Sequence, residues 1–496
     1  MYESIIGLEV HAEIATKSKM FCGCPVVDLT QAEPNSAVCP VCSGMPGTLP
    51  VVNQRAVEYG LRVALALGCE INPVSIFARK NYFYPDLPKG YQISQYKQPL
   101  ARHGMLRIRT AAPRLAALGQ ADIQPGERAV RVRRVHLEED TGKLTHSDDE
   151  TNPYSLVDLN RAGVPLLEIV SEPDLRSPEE ARLYGEALRN LLRYLGVNSG
   201  DMQKGVLRFE ANVSVRLIGE EGLGTRTEIK NLNSFRALER SMAYEIERQS
   251  ELHRRGKPVI QQTMGWDENR QVTVPQRGKE EEEDYRYFPE PDLPPLVVDE
   301  KWIEEIRLSL PELPQAKFQR FQEQYELSAY DADVLVADQE VADYFEAVGE
   351  AAPEVSAKLA ANWVTGELFG LMNQAGVGLS SLKVSPQALA GLLKMLKGKR
   401  INTPTAKTVL AEMFDGGQSA ESIVEAKGLS QISDADHIAN MVSQVLDENP
   451  EQVTKYLEGK ESLANWFFGQ VMRAAKGKAN PQVVKDELAR QLVLKN

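Results

Sequence analysis

The chain has 496 residues, 42% hydrophobic and 26% charged, a composition that excludes a wholly disordered polypeptide and a length that predicts roughly two to four domains. Its net charge of −13, from 57 basic and 70 acidic side chains, excludes a general DNA-coating protein, because affinity for phosphates comes from Lys and Arg. No run approaches the ~18 apolar residues of a membrane helix and no signal peptide precedes the first strand pattern, so the chain is expected to be cytoplasmic.

In chain order, the first element is a strand. Ile6, Leu8, Val10, Ala12 and Ile14 alternate with Gly7, Glu9, His11 and Glu13, so period two gathers the two acids and the histidine on one face. Glu9 and His11 can thus converge on a single ion or substrate, although most strands with a polar face contain such a pair by accident. Four of the five cysteines follow at Cys22, Cys24, Cys39 and Cys42. In a leaderless chain, two closely spaced thiol pairs fit a tetrahedral structural zinc knuckle, with reduced thiols of no special role as the alternative. Cys69, alone near the end of an apolar helix, reads as a small buried hydrophobe. A helix is predicted from Gln54 to Leu67, ending at Gly68.

Lys80-Asn-Tyr-Phe-Tyr-Pro-Asp86 and Lys89-Gly-Tyr-Gln-Ile-Ser-Gln95 crowd polar and aromatic groups together. Lys230-Asn-Leu-Asn-Ser234 does the same. Amides here can satisfy turns and cap a helix at Ser234, or a lysine beside them can bind a phosphate. Glu138, Glu139 and Asp140 follow a basic strand, and Glu168 lies inside the apolar segment Pro165–Val170. A carboxylate within an apolar strand is costly unless paired or metal-bound, which makes Glu168 the strongest anomaly in the sequence. A capping box at Ser177-Pro178-Glu179-Glu180 opens a helix ending at Gly196. The strand from Leu207 to Leu217 sets Arg208, Glu210, Asn212, Ser214 and Arg216 on one face, which either meets solvent or lines a site.

Residues 279–295 combine an acidic run, aromatics and prolines and read as a loop leading to a linker. Helical patterns dominate beyond it, with a second boundary at the basic connector Lys394–Arg400 and Asn402-Thr403-Pro404. The last 27 residues, from Gln470, carry Arg473, Lys476, Lys478, Lys485, Arg490 and Lys495 against Asp486 and Glu487. Such a run is usually a solvated face, and it is also where contact with a polyanion such as tRNA is expected. The expected fold class is α+β, a mixed or antiparallel β-rich part followed by all-helical parts.

One histidine with several carboxylates suits a hard divalent ion, Mg²⁺ or Mn²⁺, whose remaining partner is commonly a phosphate. No Walker A (GxxxxGK[ST]), GxGxxG or HExxH motif occurs, so spacing alone supports only metal-assisted phosphoryl transfer on an unusual scaffold.

Taken together, several motifs carry a family likeness. Gly-Leu-Glu-Val-His at 7–11, Arg-Lys-Asn-Tyr-Phe-Tyr-Pro-Asp at 79–86, His-Leu-Glu-Glu-Asp at 136–140 and Asp-Leu-Asn-Arg-Ala-Gly-Val-Pro-Leu-Leu-Glu-Ile-Val at 158–170 resemble the GatB family, which forms one component of the glutamyl/aspartyl-tRNA amidotransferases. Asp284–Asp292 and Gly469–Met472 through Asn480-Pro481 extend the likeness from end to end. The resemblance implies a cradle domain over 1–295, a helical domain over 296–403 and a tRNA-binding helical tail over 404–496. It implies that ATP phosphorylates the side-chain carboxylate of misacylated Glu-tRNA(Gln) or Asp-tRNA(Asn). Ammonia from a separate amidase subunit then displaces the phosphate, and a small third subunit joins the two.

On this footing the expected metal shell is Glu9, His11, Glu139 and Glu168, with Glu139 taken from the motif because spacing cannot choose between it and Glu138. Lys80, Arg208, Asn212, Lys230 and Asn231 are expected to contact ATP or the acyl end. The family's kinase site is not a P-loop, which accounts for the missing Walker A. The competing reading is a non-catalytic tRNA-binding adaptor, which would not need Glu9, His11 or Glu168. A free-standing zinc hydrolase fits poorly, since four thiolates leave zinc no open position. No Ser-Ser-Lys-type or Cys/His nucleophile arrangement is found, so the amidase is expected on another chain.

Overall fold

The alternation at the start of the chain is realised as β1 (Tyr2–Glu13), with Ile6, Leu8, Val10 and Ala12 buried on one face. The computed structural model describes residues 2–110, 126–147, 153–278, 285–429, 435–475 and 479–495. The acidic run 279–284 and the tail lysines Lys476 and Lys478 lie outside them. The chain forms two compact units, Met1–Gln315 and Ala316–Asn496.

In the first unit β1 is followed by β2 (Glu70–Ile71), β3 (Val74–Ser75), β4 (Phe77–Asn81), β5 (Tyr91–Gln95) and β6 (Ala101–Arg109). Next come β7 (Glu127–Glu139), β8 (Lys143–His146), β9 (Ser155–Asp158), β10 (Pro165–Ser171) and β11 (Leu207–Leu217). β12 (Thr227–Leu232), β13 (Gln262–Asp267), β14 (Val272–Gly278), β15 (Phe288–Pro289) and β16 (Leu296–Val297) complete the set. Nine of these strands form one sheet in the order β14-β13-β12-β11-β1-β10-β7-β6-β2. Its pairs are antiparallel except β12 with β13, the one pair joined by a helical crossover. A three-stranded sheet, β15-β4-β5, stands beside strand β7 of the main sheet, where Gln95 accepts from the Leu137 N–H.

Helices cover the apolar face of the main sheet. α1 (Gln54–Ala66) starts at Asn53, whose side chain accepts from the N–H groups of Arg55 and Ala56. α2 (Pro178–Tyr194) has the expected Ser177 cap, with Leu188, Leu191 and Leu192 on its buried stripe. α3 (Phe235–Arg254) is capped by Ser234. α4 (Glu300–Leu308) closes the unit. The unit runs past residue 295 because β16 pairs with β3 and because Val298 and Ile306 belong to the same core.

The second unit is helical throughout its described residues. One core is built from Phe318 to Val424 by α5 (Pro314–Tyr325), α6 (Ala329–Val336), α7 (Gln339–Ala351), α8 (Ala357–Asn362), α9 (Phe369–Ala375), α10 (Pro386–Lys397), α11 (Thr403–Gly416) and α12 (Ala420–Lys427). A π-helical turn, Trp363–Leu368, joins α8 to α9. A separate core draws on Ile438 to Leu492, from α13 (Ala435–Asp447), α14 (Pro450–Leu457), α15 (Leu463–Ala474) and α16 (Pro481–Leu494). Residues 403–427 thus pack with the helices before them rather than with those after. The α+β class holds, and among the described residues no helix is long and apolar enough to cross a membrane.

Candidate active site

The site is the polar face of the middle of the large sheet, and register explains its membership. Residues directly opposite each other on paired strands point to the same side. His11 on β1 lies opposite Glu168 on β10 and Arg208 on β11, and Glu9 lies opposite Glu210. Glu168 in turn faces His136 on β7, and Asn212 faces Glu228 on β12. One alternation therefore carries ionisable groups across five adjacent strands.

Two groups of donors converge. In the first, His11 Nε2 stands 3.6 Å from Glu138 Oε1 and 3.5 Å from Glu168 Oε2. His136 Nε2 is 3.1 Å from the same Glu168 oxygen, and Ser94 donates to Glu138 at 3.2 Å. In the second, Glu9, Glu210 and Glu228 offer oxygens all within 4.8 Å of one another, as do the donor atoms of His11, Glu138 and Glu168. Lys230 Nζ reaches Glu210 at 2.9 Å and Glu228 at 3.6 Å, and the Asn212 amide N–H donates to Glu9 at 2.9 Å.

The electrostatics divide the carboxyls. Burial and the Glu168 carboxylate push Glu138 up, while burial and the carboxylates of Glu168, Glu210 and Glu228 push Glu9 up. Burial also works against the Glu168 charge, but the imidazoles of His136 and His11 outweigh it and hold that carboxyl well below its usual range. Burial likewise opposes charge on His11. The hydrogen bond to Glu168 and the charges of Glu168, Glu210 and Glu138 override it and raise the imidazole to about 9. Carboxyls crowded closely enough to push Glu9 and Glu138 up are a condition under which a divalent ion lowers the energy of a site.

The sequence expectations fare unevenly in space. His11 and Glu168 come together, whereas Glu9 lies on the same sheet face but joins the other donor set, with Glu210 and Glu228. Glu139 does not join them, and Glu138 occupies the position assigned to it. Successive strand residues face opposite ways, so Glu139 shares the side of the buried core residues Leu137 and Val135. Its carboxylate is paired with Lys89 and accepts from the Ile93 N–H at 3.0 Å.

Among the residues expected to contact substrate, Lys80 extends from β4 with its ammonium 4.8 Å from the Tyr285 ring centroid. Burial opposes its charge, but Tyr287, Tyr82 and the carboxylates of Glu138 and Glu168 hold its pKa well above the usual lysine value. Lys230 and Asn212 reach the second donor group. Arg208 is held by Asp140 at 2.6 Å. Asn231 is exposed, with a left-handed φ of 59° at a β-bulge between β11 and β12, and does not enter the site.

His136, Glu210 and Glu228 were missed, and each had a signal, while Glu138 stood as the open alternative to Glu139. Glu210 falls between Arg208 and Asn212 on one strand face, Glu228 is two before Lys230, and His136 is two before Glu138.

Apart from this face, Cys22, Cys24, Cys39 and Cys42 bring their sulfurs within 4.8 Å of one another. The Cys42 sulfur is 3.9 Å from that of Cys39 and 4.0 Å from that of Cys24, whereas a disulfide would need about 2.05 Å. A hydrogen bond from the Cys22 thiol, with help from the Cys39 N–H and the buried Lys19 ammonium 3.6 Å away, draws Cys42 down to about 4.

Comparison with known proteins agrees with this organisation. Residues 4–304 match the family described as GatB/GatE catalytic domain, and residues 343–492 match the GatB domain. A protein of Carboxydothermus hydrogenoformans is 48% identical over 495 residues, covering 99% of this chain and 99% of its own. A protein of Moorella thermoacetica is 50% identical over 491 residues, covering 99% and 100%. A third, from Dehalococcoides mccartyi, is 49% identical over 500 residues, covering 99% of each. All three are named as the B-type subunit of an aspartyl/glutamyl-tRNA(Asn/Gln) amidotransferase. With both parts of the chain matched and its relatives aligned almost end to end, the chain belongs to the GatB family.

Proposed function

We propose that this chain, a subunit of a tRNA-dependent amidotransferase, uses its carboxylate-lined sheet face to activate the side-chain carboxylate of Glu-tRNA(Gln) or Asp-tRNA(Asn) by phosphorylation from ATP. The observation that carries the reading is the convergence of two separate donor sets, His11 with Glu138 and Glu168, and Glu9 with Glu210 and Glu228, on one half-buried surface. A free carboxylate resists attack by ammonia because an oxide is a poor leaving group. Once its oxygen attacks the γ-phosphorus and ADP leaves, the acyl carbon carries phosphate, a good leaving group. Ammonia adds to that carbon, phosphate departs, and the amide remains after loss of a proton.

Both donor sets suit Mg²⁺ or Mn²⁺, whose oxygen ligands in an octahedron are separated by about 3–4 Å. Asn212 supplies an independent sign of fit. Its enclosed Oδ1 has no hydrogen-bond partner while its amide N–H donates to Glu9, so the oxygen is free to turn towards a cation. Cations held there would neutralise charge on the ATP phosphates as the phosphoryl group moves. Lys80 and Lys230 are the ammonium groups placed to bind phosphate oxygens, and no side-chain nucleophile is required.

The reaction needs ammonia and a way to hold tRNA. An amidase subunit would release ammonia from glutamine, a small third subunit would join the assembly, and the exposed basic residues of the tail would contact the tRNA. The cysteine quartet fits zinc, since a tetrahedron of sulfurs at about 2.3 Å from the metal has edges near 3.8 Å. With four protein ligands, that ion would be structural.

The test is ATP hydrolysis by the chain purified with its partner subunits, with and without Glu-tRNA(Gln). Hydrolysis stimulated by the misacylated tRNA and dependent on Mg²⁺ is the expected result. Bound tRNA with ATP untouched in every combination would make the chain an adaptor.

A further inference from the structure

The two donor sets are neutralised differently. In the set of His11, Glu138 and Glu168, the neighbours are the imidazoles of His11 and His136 and the Arg134 guanidinium, 3.9 Å from Glu168 Oε1, and Lys80 stands off over the Tyr285 ring. In the set of Glu9, Glu210 and Glu228, a lysine already occupies the carboxylates, with Lys230 Nζ 2.9 Å from Glu210 and 3.6 Å from Glu228. Lys230 sits where β12 has one residue more than β11 between the pairs Phe209–Leu232 and Ala211–Ile229. The extra residue is taken up by Asn231 in the left-handed region, a bulge that aims the neighbouring side chain.

An ammonium and a divalent cation compete for these carboxylates. Metal–oxygen bonds of about 2.1 Å would bring the two positive charges together across the carboxylates that now hold the lysine. Lysine has a flexible four-carbon stem and a compact charge, so it can leave while its backbone stays in the sheet. A polyphosphate arriving above the sheet offers it another anionic partner.

We propose that Lys230 is a built-in counter-ion of the second carboxylate set, exchanging its place with a divalent cation when a nucleotide polyphosphate draws it away. The proposal rests on the reading of this face as a metal-dependent kinase site. Two consequences follow by linkage. Nucleotide strengthens binding of the second cation and the cation strengthens binding of nucleotide by the same factor, because each removes the competitor of the other. The first set, which contains no lysine, fills without nucleotide.

The experiment is a Mn²⁺ titration followed by electron paramagnetic resonance, on the chain purified with its partner subunits, with and without the β,γ-imido analogue of ATP. Wild-type protein is expected to show one class of Mn²⁺ site indifferent to the analogue and a weaker class that the analogue tightens about tenfold or more. In Lys230→Gln the weaker class should tighten by a similar factor with no analogue present, and the analogue should add little. Lys230→Arg, which keeps the charge, should behave as wild type, and thermal melting of both variants reports that they are folded. Unchanged or weaker Mn²⁺ binding in Lys230→Gln would overturn the exchange while leaving the metal reading in place, as would equal tightening in Lys230→Arg. Absence of Mn²⁺ binding to wild type under all conditions would overturn the metal reading and the exchange with it.

Discussion

At the scale of single residues, the two adjacent glutamates of β7 divide the chemistry. Glu138 faces His11 across the sheet, whereas Glu139 is tied to Lys89 and the Ile93 N–H on the other side. Glu138→Gln should therefore weaken Mn²⁺ binding at the nucleotide-independent site, while Glu139→Gln should leave it intact. Equal loss in both variants would place the first cation elsewhere. Glu168 accepts from both imidazoles, so Glu168→Gln should reduce tRNA-dependent ATP hydrolysis by about a thousandfold or more, with fold and tRNA binding retained. Wild-type-like hydrolysis by that variant would contradict its role. Glu9, His11 and Glu168 were legible from sequence because the first two share the polar face of one alternating strand and the third sits inside an apolar run. The choice between Glu138 and Glu139 was not, since parity along a strand becomes meaningful only once a neighbouring strand fixes its register.

Among the secondary-structure elements, α3 is the clamp on the strands that carry the second donor set. Glu245, fully buried on α3, accepts from Thr227 of β12 at 2.7 Å and from Thr273 of β14 at 3.0 Å. Burial opposes its charge, but hydrogen bonds from Arg248, Thr227 and Gln249 outweigh it and hold the carboxyl below the usual value. A depressed carboxyl contributes stability that is present above its unfolded pKa and lost as pH falls through the folded one. Glu245→Ala should therefore cost about 3–5 kcal/mol near neutral pH, read as a shift of the urea midpoint, and the difference should shrink below the ordinary carboxylate value of 4.5. A difference that does not change with pH would mean that packing, and not the charge, is what the mutation removes.

The same scale holds the cysteine knuckle. Purified protein should carry about one equivalent of zinc, lost in Cys39→Ser but kept in Glu168→Gln. Equal zinc content in Cys39→Ser and wild type would remove the assignment. The helix starts at Ser177 and Ser234 were readable because a cap is a local hydrogen bond between residues three apart. The large sheet's strand order was not readable, because its central pairs, β1 with β10 and β1 with β11, join segments more than a hundred residues apart.

Over the whole molecule, charge is separated by position. The overall balance is −13, yet the C-terminal segment exposes Arg473 on α15 and Lys485 on α16. Arg490 and Lys495 are committed to Glu487 and Asp447. Val471, Val484, Leu488 and Leu492 belong to the last core, so truncation from Gln470 would remove packing together with charge. Reversal of the exposed pair is the cleaner change. Arg473→Glu with Lys485→Glu should weaken tRNA binding and lower the slope of log affinity against log salt by about two. Unchanged affinity and slope would reduce the tail to ordinary surface.

The central claim is that this chain's sheet face makes an acyl phosphate on the aminoacyl end of tRNA. The most direct test is to charge tRNA(Gln) with glutamate carrying heavy oxygen in its side-chain carboxylate and to supply ATP and glutamine to the complete assembly. Inorganic phosphate is then analysed by mass spectrometry. Phosphorylation of the carboxylate predicts that phosphate released alongside Gln-tRNA(Gln) carries the heavy oxygen, and that Glu168→Gln releases none. Formation of Gln-tRNA(Gln) with unlabelled phosphate would contradict the account, because the oxygen lost from the carboxylate would not have passed through phosphorus.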